Sequence, residues 1–222
     1  MKNLFQYILE SLVDFNELRE KMSFEDCSWK DIKKILLSDE YNHGKDLSGF
    51  EVTEEYLDHE IFLGDEKDSH YFKIIYDKKV LGIFGIYYLK DWRNISVMGL
   101  KHIISSLFNS SKLLSEYGYT FDNIVKDSAY IILWQLSSKE KKELDINPIA
   151  LVKVFYEKLE QKLKKEHITV IGAHGKNDKM KKSYIKVGGF EDYSSKYLTD
   201  YTKKLWKSVK SEIYENFVIK KI

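Results

Sequence analysis

Proline, cysteine and long apolar runs are nearly missing from this chain of 222 residues, which contains proline only at Pro148 and cysteine only at Cys27. A single cysteine excludes an intramolecular disulfide and suits a reducing compartment, so we expect a cytoplasmic protein in which Cys27 is a structural thiol. With 43% apolar and 14% aromatic residues, the chain is neither linker-rich nor disordered. The composition predicts a packed core in a domain of moderate size.

No stretch approaches the run of about 20 apolar residues that a membrane helix needs. At the N-terminus, Gln6, Glu10 and Asp14 interrupt the apolar residues before the core of a signal peptide can form. The apolar positions there recur at helical spacing and predict an ordinary amphipathic helix: Leu4, Ile8, Leu12, Phe15 and Leu18. We therefore expect no membrane partner.

An excess of charge of either sign is also missing, since the formal net charge is +1. Residues 1–70 nevertheless carry 18 acidic and 8 basic side chains, whereas residues 137–186 carry 13 lysines and 7 acidic side chains. This asymmetry suits one cationic and one anionic ligand meeting at a cleft, and it equally suits solvated helix faces. With a pI near 7.7, the sequence gives no support for a nucleic-acid partner.

The short motifs of several common enzyme classes are absent too. The sequence contains no GxSxG, no P-loop and no GxGxxG, which argues against a serine hydrolase, a nucleoside triphosphatase and a dinucleotide-binding fold. Its six histidines show neither HExxH nor a paired spacing with carboxylates. We therefore expect no metal site.

Residues 1–68 are predicted to form a mostly helical extension that packs on the rest of the chain. The first helix should end near Met22. Ser28 is a suitable N-cap for a second helix, because apolar residues follow it at helical spacing.

Residues 69–222 show the alternation of strands and helices that is typical of an α/β domain. Two strand-like runs, 71–76 and 80–89, flank a polar turn and predict a hairpin. A helical insertion is expected at about 92–126. The apolar run 129–136, AYIILWQL, predicts a strand that is buried on both faces.

The second half of this domain predicts a helix, a strand and a helix in turn. Asn147 can cap a long helix whose first position is Pro148. Residues 168–173 predict a short buried strand, and the helix 178–187 should end at Gly188 in a left-handed conformation. This order predicts a mixed sheet with a right-handed crossover between its two central strands.

The last residues repeat apolar side chains at steps of four, at Leu205, Val209, Ile213 and Phe217. This spacing favours a terminal helix over a strand. In a compact α/β domain, such a helix usually covers a face or an edge of the sheet.

Residues 168–192, ITVIGAHGKNDKMKKSYIKVGGFED, combine a short strand, a loop asparagine at Asn177, a tyrosine seven residues later at Tyr184, and a Gly-Phe pair. This arrangement resembles the strand-helix-strand signature of the GNAT superfamily of N-acyltransferases. Together with the preceding strand, long helix and hairpin, the resemblance covers residues 71–193 apart from the insertion. It implies a mixed central sheet flanked by helices.

The resemblance also implies an enzyme that moves an acyl group, most simply acetyl, from acetyl-CoA or another acyl-CoA to a primary amine of a small molecule or peptide. In GNAT proteins the donor thioester lies in a splayed gap between two parallel strands, here 129–136 and 168–173. A tyrosine of the next helix protonates the leaving thiolate, and that role matches Tyr184. The residues implied to bind the donor are Leu136, Ser137, Ser138, Lys139 and Asn177.

The loop that should hold the donor's pyrophosphate departs from the family pattern. GNAT proteins use Gln/Arg-x-x-Gly-x-Gly/Ala, whose backbone amides meet phosphate at a helix N-terminus. Here the corresponding residues are SSKEKKELDINP, and no glycine occurs between Gly118 and Gly172. Lys139, Lys141 and Lys142 could supply charge in place of amides, or could simply be solvated.

The sequence does not mark a general base, because the strand 129–136 contains no acid. By residue type alone, the candidates are His174, Asp127 and Glu55. Three functions stay open: an N-acyltransferase that uses acyl-CoA, a catalytically inactive GNAT-like binding or regulatory protein, and an acyltransferase with a carrier-protein donor. A homo-oligomer is compatible with each of them.

Overall fold

The computed structural model of the chain describes residues 15–38, 53–59, 69–90, 105, 107–137, 144, 146–175, 178–197 and 216–222. Its strands are β1 (Met22–Cys27), β2 (Ser69–Tyr76), β3 (Lys79–Tyr88), β4 (Ser128–Leu136), β5 (Val170–His174), β6 (Glu191–Asp192) and β7 (Phe217–Lys221). They form one seven-stranded sheet in the order β1-β2-β3-β4-β5-β7-β6. Within the described part of the chain, β4 and β5 pair in parallel and the other neighbours are antiparallel. The mixed central sheet predicted from the sequence is thus confirmed.

Helices lie against both faces of this sheet. They are α1 (residues 15–21), α2 (Trp29–Leu36), α3 (Glu54–His59), α4 (Ser111–Tyr117), α5 (Phe121–Lys126), α6 (Pro148–Lys165), α7 (Asp178–Lys186) and α8 (Tyr193–Lys196). Among the described helices, none is both long and apolar enough to cross a membrane.

The hairpin β2–β3 confirms the first strand prediction of the α/β domain. Its turn residues Asp77 and Lys78 have φ angles of 46° and 67°. Two consecutive positive φ angles are typical of a type I′ turn, which matches the twist of the strands it joins.

The helix α6 covers one face of the sheet, here called the first face, together with α1 and α7. Pro148 occupies its start, and the Asn147 side chain accepts hydrogen bonds from the first turn, as predicted. Its inward stripe is wholly inaccessible to solvent and consists of Leu151, Val154, Phe155, Leu159 and Leu163. These side chains pack on sheet residues that include Phe84, Ala129 and Ile131. Burial of this stripe supplies most of the helix's stability, at about 25 cal/mol per Å² of apolar surface.

The opposite, second face of the sheet carries two smaller apolar clusters. The cluster beneath α2 and α3 consists of Trp29, Ile32, Leu36, Leu57, Tyr71 and Ile83. The cluster beneath α4, α5 and α8 includes Leu113, Ile124, Tyr130, Val170, Tyr193 and Phe217. Ser28 caps α2 with a reciprocal capping box to Asp31, which confirms the predicted start of that helix.

The strand β1 was missed by the prediction of a mostly helical region at residues 1–68. It pairs antiparallel with β2 at the edge of the sheet, from Met22 opposite Tyr76 to Cys27 opposite Tyr71. This strand is only six residues long, and Glu25 and Asp26 interrupt its alternation. Short, charged edge strands resist aggregation, and they also carry a weak sequence signal.

The predicted terminal helix is wrong at its end, because Phe217–Lys221 forms β7 between β5 and β6. Residues 205, 209 and 213 lie outside the described part of the chain. Phe217, Val218 and Ile219 are all fully buried, since the two faces of the sheet are both covered at this point. A short, continuous apolar run does not distinguish a buried strand from a helix by periodicity.

The left-handed residue that ends α7 is Gly189, with φ 68°, and the assignment of this conformation to Gly188 is wrong. Gly188 is required for a different reason. A Cβ atom at Gly188 would lie 2.8 Å from the carbonyl oxygen of Tyr184 and 2.9 Å from a ring carbon of Tyr156. Gly188 therefore allows close packing, and Gly189 allows the chain to reverse its direction.

Candidate functional site

The parallel ladder between β4 and β5 is shorter than β4 itself. It contains four pairs, from Ser128 opposite Val170 to Ile131 opposite Ala173. Beyond Ile131, β4 continues to Leu136 and pairs with β3 as far as Gly82. Within the described residues, no strand pairs with the other edge of 132–136, which is called the open edge below. The two parallel strands thus stop pairing halfway along β4.

A β-bulge lies directly after the last pair of this ladder. On the β3 side, Gly85 is opposite Leu133 while Ile86 is opposite Ile131, so that Ile132 is the extra residue. A bulge bends its strand and increases the local twist. A Cβ atom at Gly85 would lie 3.0 Å from the Ile132 side chain, so glycine gives the bulge room.

The open edge presents backbone N–H and C=O groups of β4 that β5 does not use. Such an edge can pair with an extended ligand that carries amide groups, as an added strand would. The pantetheine arm of an acyl donor is a ligand of this kind. The ladder ends at Ile131 and Ala173, and β5 itself ends one residue later, at His174.

Tyr184 lies on α7, which follows β5, and its side chain packs on the first face. It is 2% exposed, with ring centroids 5.8 Å from Tyr156 and 5.2 Å from Phe190. Burial raises the pKa of Tyr184, so the phenol keeps its proton at neutral pH. This packing gives Tyr184 a structural role in the core, and its role as an acid stays a prediction.

Lys220 of β7 stabilises the C-terminal end of α7 by a hydrogen bond. The Nζ atom of Lys220 donates to the carbonyl oxygen of Gly188 over 2.7 Å and also to the Glu160 carboxylate of α6. Cations are favourable at a helix C-terminus, where carbonyl groups lack partners within the helix. Lys220 therefore joins β7, α6 and α7 around Tyr184.

The N-terminus of α6 follows β4 in the chain, and in the resemblance it faces the donor's pyrophosphate. The Asn147 Oδ1 atom accepts from the amides of Ile149 (2.9 Å) and Ala150 (3.3 Å). The amide of Leu151 donates to the carbonyl oxygen of Asn147 over 3.0 Å, and Pro148 has no N–H. Of the four positions that lack an intrahelical acceptor at this end, Pro148, Ile149 and Ala150 therefore have no amide left to offer an anion. The start of α6 does not fit a pyrophosphate unless the Asn147 side chain moves away.

The other residues predicted to bind the donor are only partly described. Leu136 ends β4, and Ser137 follows it with 1% exposure and with its amide donating to the Leu81 carbonyl oxygen over 2.8 Å. Ser138, Lys139 and Asn177 lie outside the described residues, as do Lys141 and Lys142. Their roles stay predictions.

The three candidates for the general base lie in different places. Asp127 precedes β4, at the paired end of the ladder and away from the open edge. Glu55 is exposed on α3. His174 ends β5, one residue after Ala173, and so lies where the ladder stops. Of the three, only His174 is next to the open edge along the strands that form it.

Two features of this site were missed in the sequence. Lys220 carries no local signal, because its partners are distant in the chain. The bulge at Ile132 could have been suspected, since a glycine inside a strand, here Gly85, often marks a bulge or a close approach. The open edge begins at that bulge.

Two cavities in the described part of the chain lie elsewhere. One of about 400 Å³ opens at the paired end of the β4–β5 ladder, beside Tyr88, Asp127 and His167. The other, of about 230 Å³, lies beside Glu116, Glu191 and Lys220. Among the described residues, no group of three or more His, Cys, Asp or Glu side chains is placed to hold a metal ion.

Comparison with known proteins gives likeness of fold at low identity. No protein-family profile and no curated protein matches the sequence. Among solved structures, the chain is similar to the aminoglycoside acetyltransferase AAC(6′)-Ib in complex with coenzyme A, at 13% identity and a TM-score of 0.40, over 77% of this chain and 84% of the other. It is also similar to arylalkylamine N-acetyltransferase 2 from Aedes aegypti, at 15% identity and a TM-score of 0.46, over 90% and 99%.

Proposed function

We propose that the chain is an N-acyltransferase that moves an acyl group, most simply acetyl, from a coenzyme A thioester to a primary amine. The observation that carries this proposal is the end of the parallel ladder at Ile131 and Ala173, with β4 running on to Leu136. An extended donor arm can pair with the open edge there and bring its thioester to the point where the strands separate.

Tyr184 is the residue proposed to protonate the leaving thiolate. Its helix follows β5 directly, and Lys220 and Gly188 hold the end of that helix. A phenol whose pKa is raised by burial stays protonated at neutral pH, so it can deliver a proton as the carbon–sulfur bond breaks. A positioned acid of this kind contributes roughly 100-fold or more to the rate.

The acceptor amine is proposed to approach from the second face of the sheet. On that face, α3 has Glu54 and Glu55 in its first turn. Negative potential attracts a protonated amine before it binds. A small-molecule or peptide amine is the class of acceptor that this arrangement suits.

The donor's phosphates are proposed to be held outside α6, because Asn147 occupies the amides at the start of that helix. Lys139, Lys141 and Lys142 precede α6 in the chain and are the candidate partners by charge. With phosphates contributing less than they would at free helix amides, much of the donor's binding free energy should come from its pantetheine arm.

The test is an acyl-transfer assay with the full chain, acetyl-CoA and a panel of amines, in which release of free thiol and the mass of the acylated amine are both measured. We expect thiol release that depends on the amine and a product that is heavier by one acetyl group. Folded protein that gives neither, at millimolar acetyl-CoA and with longer acyl-CoA donors included, would contradict the proposal.

A second candidate function is a GNAT-like fold that binds a partner without catalysis. The closed start of α6 and the tightly packed Tyr184 ring favour it. In that case the Tyr184→Phe variant keeps the protein's biological activity, while changes at the surface of residues 1–70 abolish it. An inactive but fully folded Tyr184→Phe variant would exclude this second function.

A further inference from the structure

His174 lies directly after the last pair of the parallel ladder, at the end of β5. It is the last residue of β5 and follows Ala173, whose pairing with Ile131 closes the ladder. Side chains alternate between the two faces along a strand. Ile171 and Ala173 belong to the core of the first face, which also contains Tyr184.

The side chain of His174 therefore lies on the second face. A Cβ atom at Gly172, two residues earlier, would touch Phe217 and Tyr130, both of which belong to the second-face cluster. Phe217 is also the residue opposite His174 in the antiparallel pair with β7. His174 and Tyr184 are thus separated by the sheet, one on each face.

The Nε2 atom of His174 is buried and makes no hydrogen bond in the described part of the chain. Buried polar atoms are nearly always paired, because an unpaired one costs about 1–3 kcal/mol. An imidazole nitrogen left in this state is a candidate for a partner that arrives with a ligand.

The surroundings of His174 keep the imidazole uncharged. Burial lowers the pKa of His174, and no charged side chain among the described residues opposes this effect. Among the described residues on this face, the phenols of Tyr130 and Tyr193 have rings 6.0 Å and 5.0 Å from the Phe217 ring. On α7, Lys181 is engaged with Asp192 over 2.9 Å. A neutral imidazole can accept a proton.

We propose that His174 is the general base of the acyl transfer and that its Nε2 atom accepts a proton from the attacking amine. This inference rests on the proposed N-acyltransferase function. It selects His174 over Asp127, which lies at the paired end of β4, and over Glu55, which is exposed on α3.

The proposed step balances as follows. The amine nitrogen forms a bond to the thioester carbonyl carbon and transfers one proton to His174 Nε2. The carbon–sulfur bond breaks, and the departing thiolate takes a proton from the Tyr184 hydroxyl. The histidine's extra proton then returns through solvent to the phenolate, so that the products are an amide and a free thiol.

Placement on opposite faces suits this division of roles. The base serves the incoming nitrogen and the acid serves the outgoing sulfur, and these two atoms lie on different sides of the reacting carbon. Because the ladder ends between Ile131 and Ala173, a thioester bound there can be reached from both faces. His174 ends β5 on the second face, and Tyr184 belongs to the core of the first face.

The experiment compares the wild-type chain with His174→Gln, which keeps a polar side chain and removes the base. Donor binding is measured by calorimetry with acetyl-CoA, and kcat/KM is measured from pH 5 to 9 with a reactive amine. We expect the variant to bind acetyl-CoA within about threefold of wild type and to lose kcat/KM by roughly 100-fold or more. The acidic limb of the wild-type pH profile, with a pKa below the usual 6.5 of histidine, should vanish in the variant.

A folded His174→Gln variant that keeps at least a third of the wild-type kcat/KM would overturn the role of His174 and leave the acyltransferase proposal standing. Absence of turnover in the wild type with every donor and amine would overturn both. If the variant does not fold, the wild-type pH profile decides alone, and a profile that is flat between pH 5 and 8 overturns the role of His174. Recovery of activity in His174→Ala by added imidazole would support it.

Discussion

Ile131 and Ala173 form the last pair of the parallel β4–β5 ladder, and the residues directly after them, Ile132 and His174, both belong to the candidate site. On β4 the next residue is the bulged Ile132, which begins the open edge. On β5 the next residue is His174, whose Nε2 atom is buried and without a partner among the described residues. The end of the parallel pairing, the open edge of β4 and an uncharged imidazole therefore lie next to one another.

The Tyr184 hydroxyl can be tested against a neighbouring hydroxyl in the same cluster. Tyr156 is equally buried, at 2% exposure, and its ring packs on that of Tyr184. Both Phe variants keep the ring contacts and should fold. We expect Tyr184→Phe to lower kcat by roughly 100-fold with little change in KM, and Tyr156→Phe to lower it less than threefold, because only the first phenol is proposed to meet the thiolate. Steady-state kinetics with acetyl-CoA checks this, and equal losses in the two variants would assign both to packing.

The anchoring of α7 by Lys220 predicts a loss of stability in Lys220→Met. That variant leaves the carbonyl of Gly188 and the carboxylate of Glu160 without the charged donor, and both partners of the ion pair are only about a fifth exposed, at 21% and 22%. We expect the free energy of unfolding to fall by about 2 kcal/mol in urea denaturation, as for a lost hydrogen bond to a charged group.

Lys221→Met is the matched control, since its Nζ atom makes a longer bond of 3.3 Å to the Tyr117 carbonyl. It should lose clearly less stability than Lys220→Met. Equal losses of unfolding free energy in the two variants would show that Lys220 does not stabilise the end of α7 specifically.

His174 predicts a dependence of stability on pH. Its pKa is lowered in the folded protein, so the unfolded chain binds the proton more readily. The stabilisation is therefore fully present above the unfolded pKa of about 6.5 and is lost as the pH falls toward the folded pKa. Urea denaturation at pH 8 and pH 5.5 should show a larger loss for wild type than for His174→Gln. A variant with the same loss as wild type would mean that His174 titrates normally.

The turn of the β2–β3 hairpin predicts a stabilising substitution. Lys78 has φ 67°, a conformation that costs residues with a Cβ atom about 1 kcal/mol and costs glycine nothing. Lys78→Gly should raise the free energy of unfolding by a few tenths of a kcal/mol, because the strain relieved slightly exceeds the entropic cost of a glycine, about 0.5–1 kcal/mol. Lys79→Gly, in the strand β3, carries that cost without the relief and should lower the free energy of unfolding by about 0.5–1 kcal/mol. Thermal and urea unfolding of both variants checks the opposite signs. A loss in both would contradict the turn geometry.

The elements with strong local signals were predictable from the sequence. The hairpin, the apolar strand β4 and the cap of α6 at Asn147 each follow from a few adjacent residues. The strands β1 and β7 were not predictable in this way, because their pairing partners are distant in the chain and their own patterns are short.

The candidate site was likewise predictable from the sequence only where the signal was local. Tyr184 was found from the spacing of residues 168–192, and His174 was one of three candidates by residue type. What singled out His174 was the point at which β4 and β5 stop pairing, a tertiary relationship that the spacing does not contain. The use of the α6 amides by Asn147 likewise became clear only from the hydrogen bonds.

Hydrogen–deuterium exchange of the full chain with and without acetyl-CoA tests the site most directly, because it reports both binding and its place. If the donor arm pairs with the open edge, acetyl-CoA at millimolar concentration slows exchange in peptides that cover residues 132–136, while the distant β1–β2 pair is unchanged. Exchange that is unaltered at 132–136 under these conditions, or slowed only elsewhere, would contradict an acyl-donor site between β4 and β5.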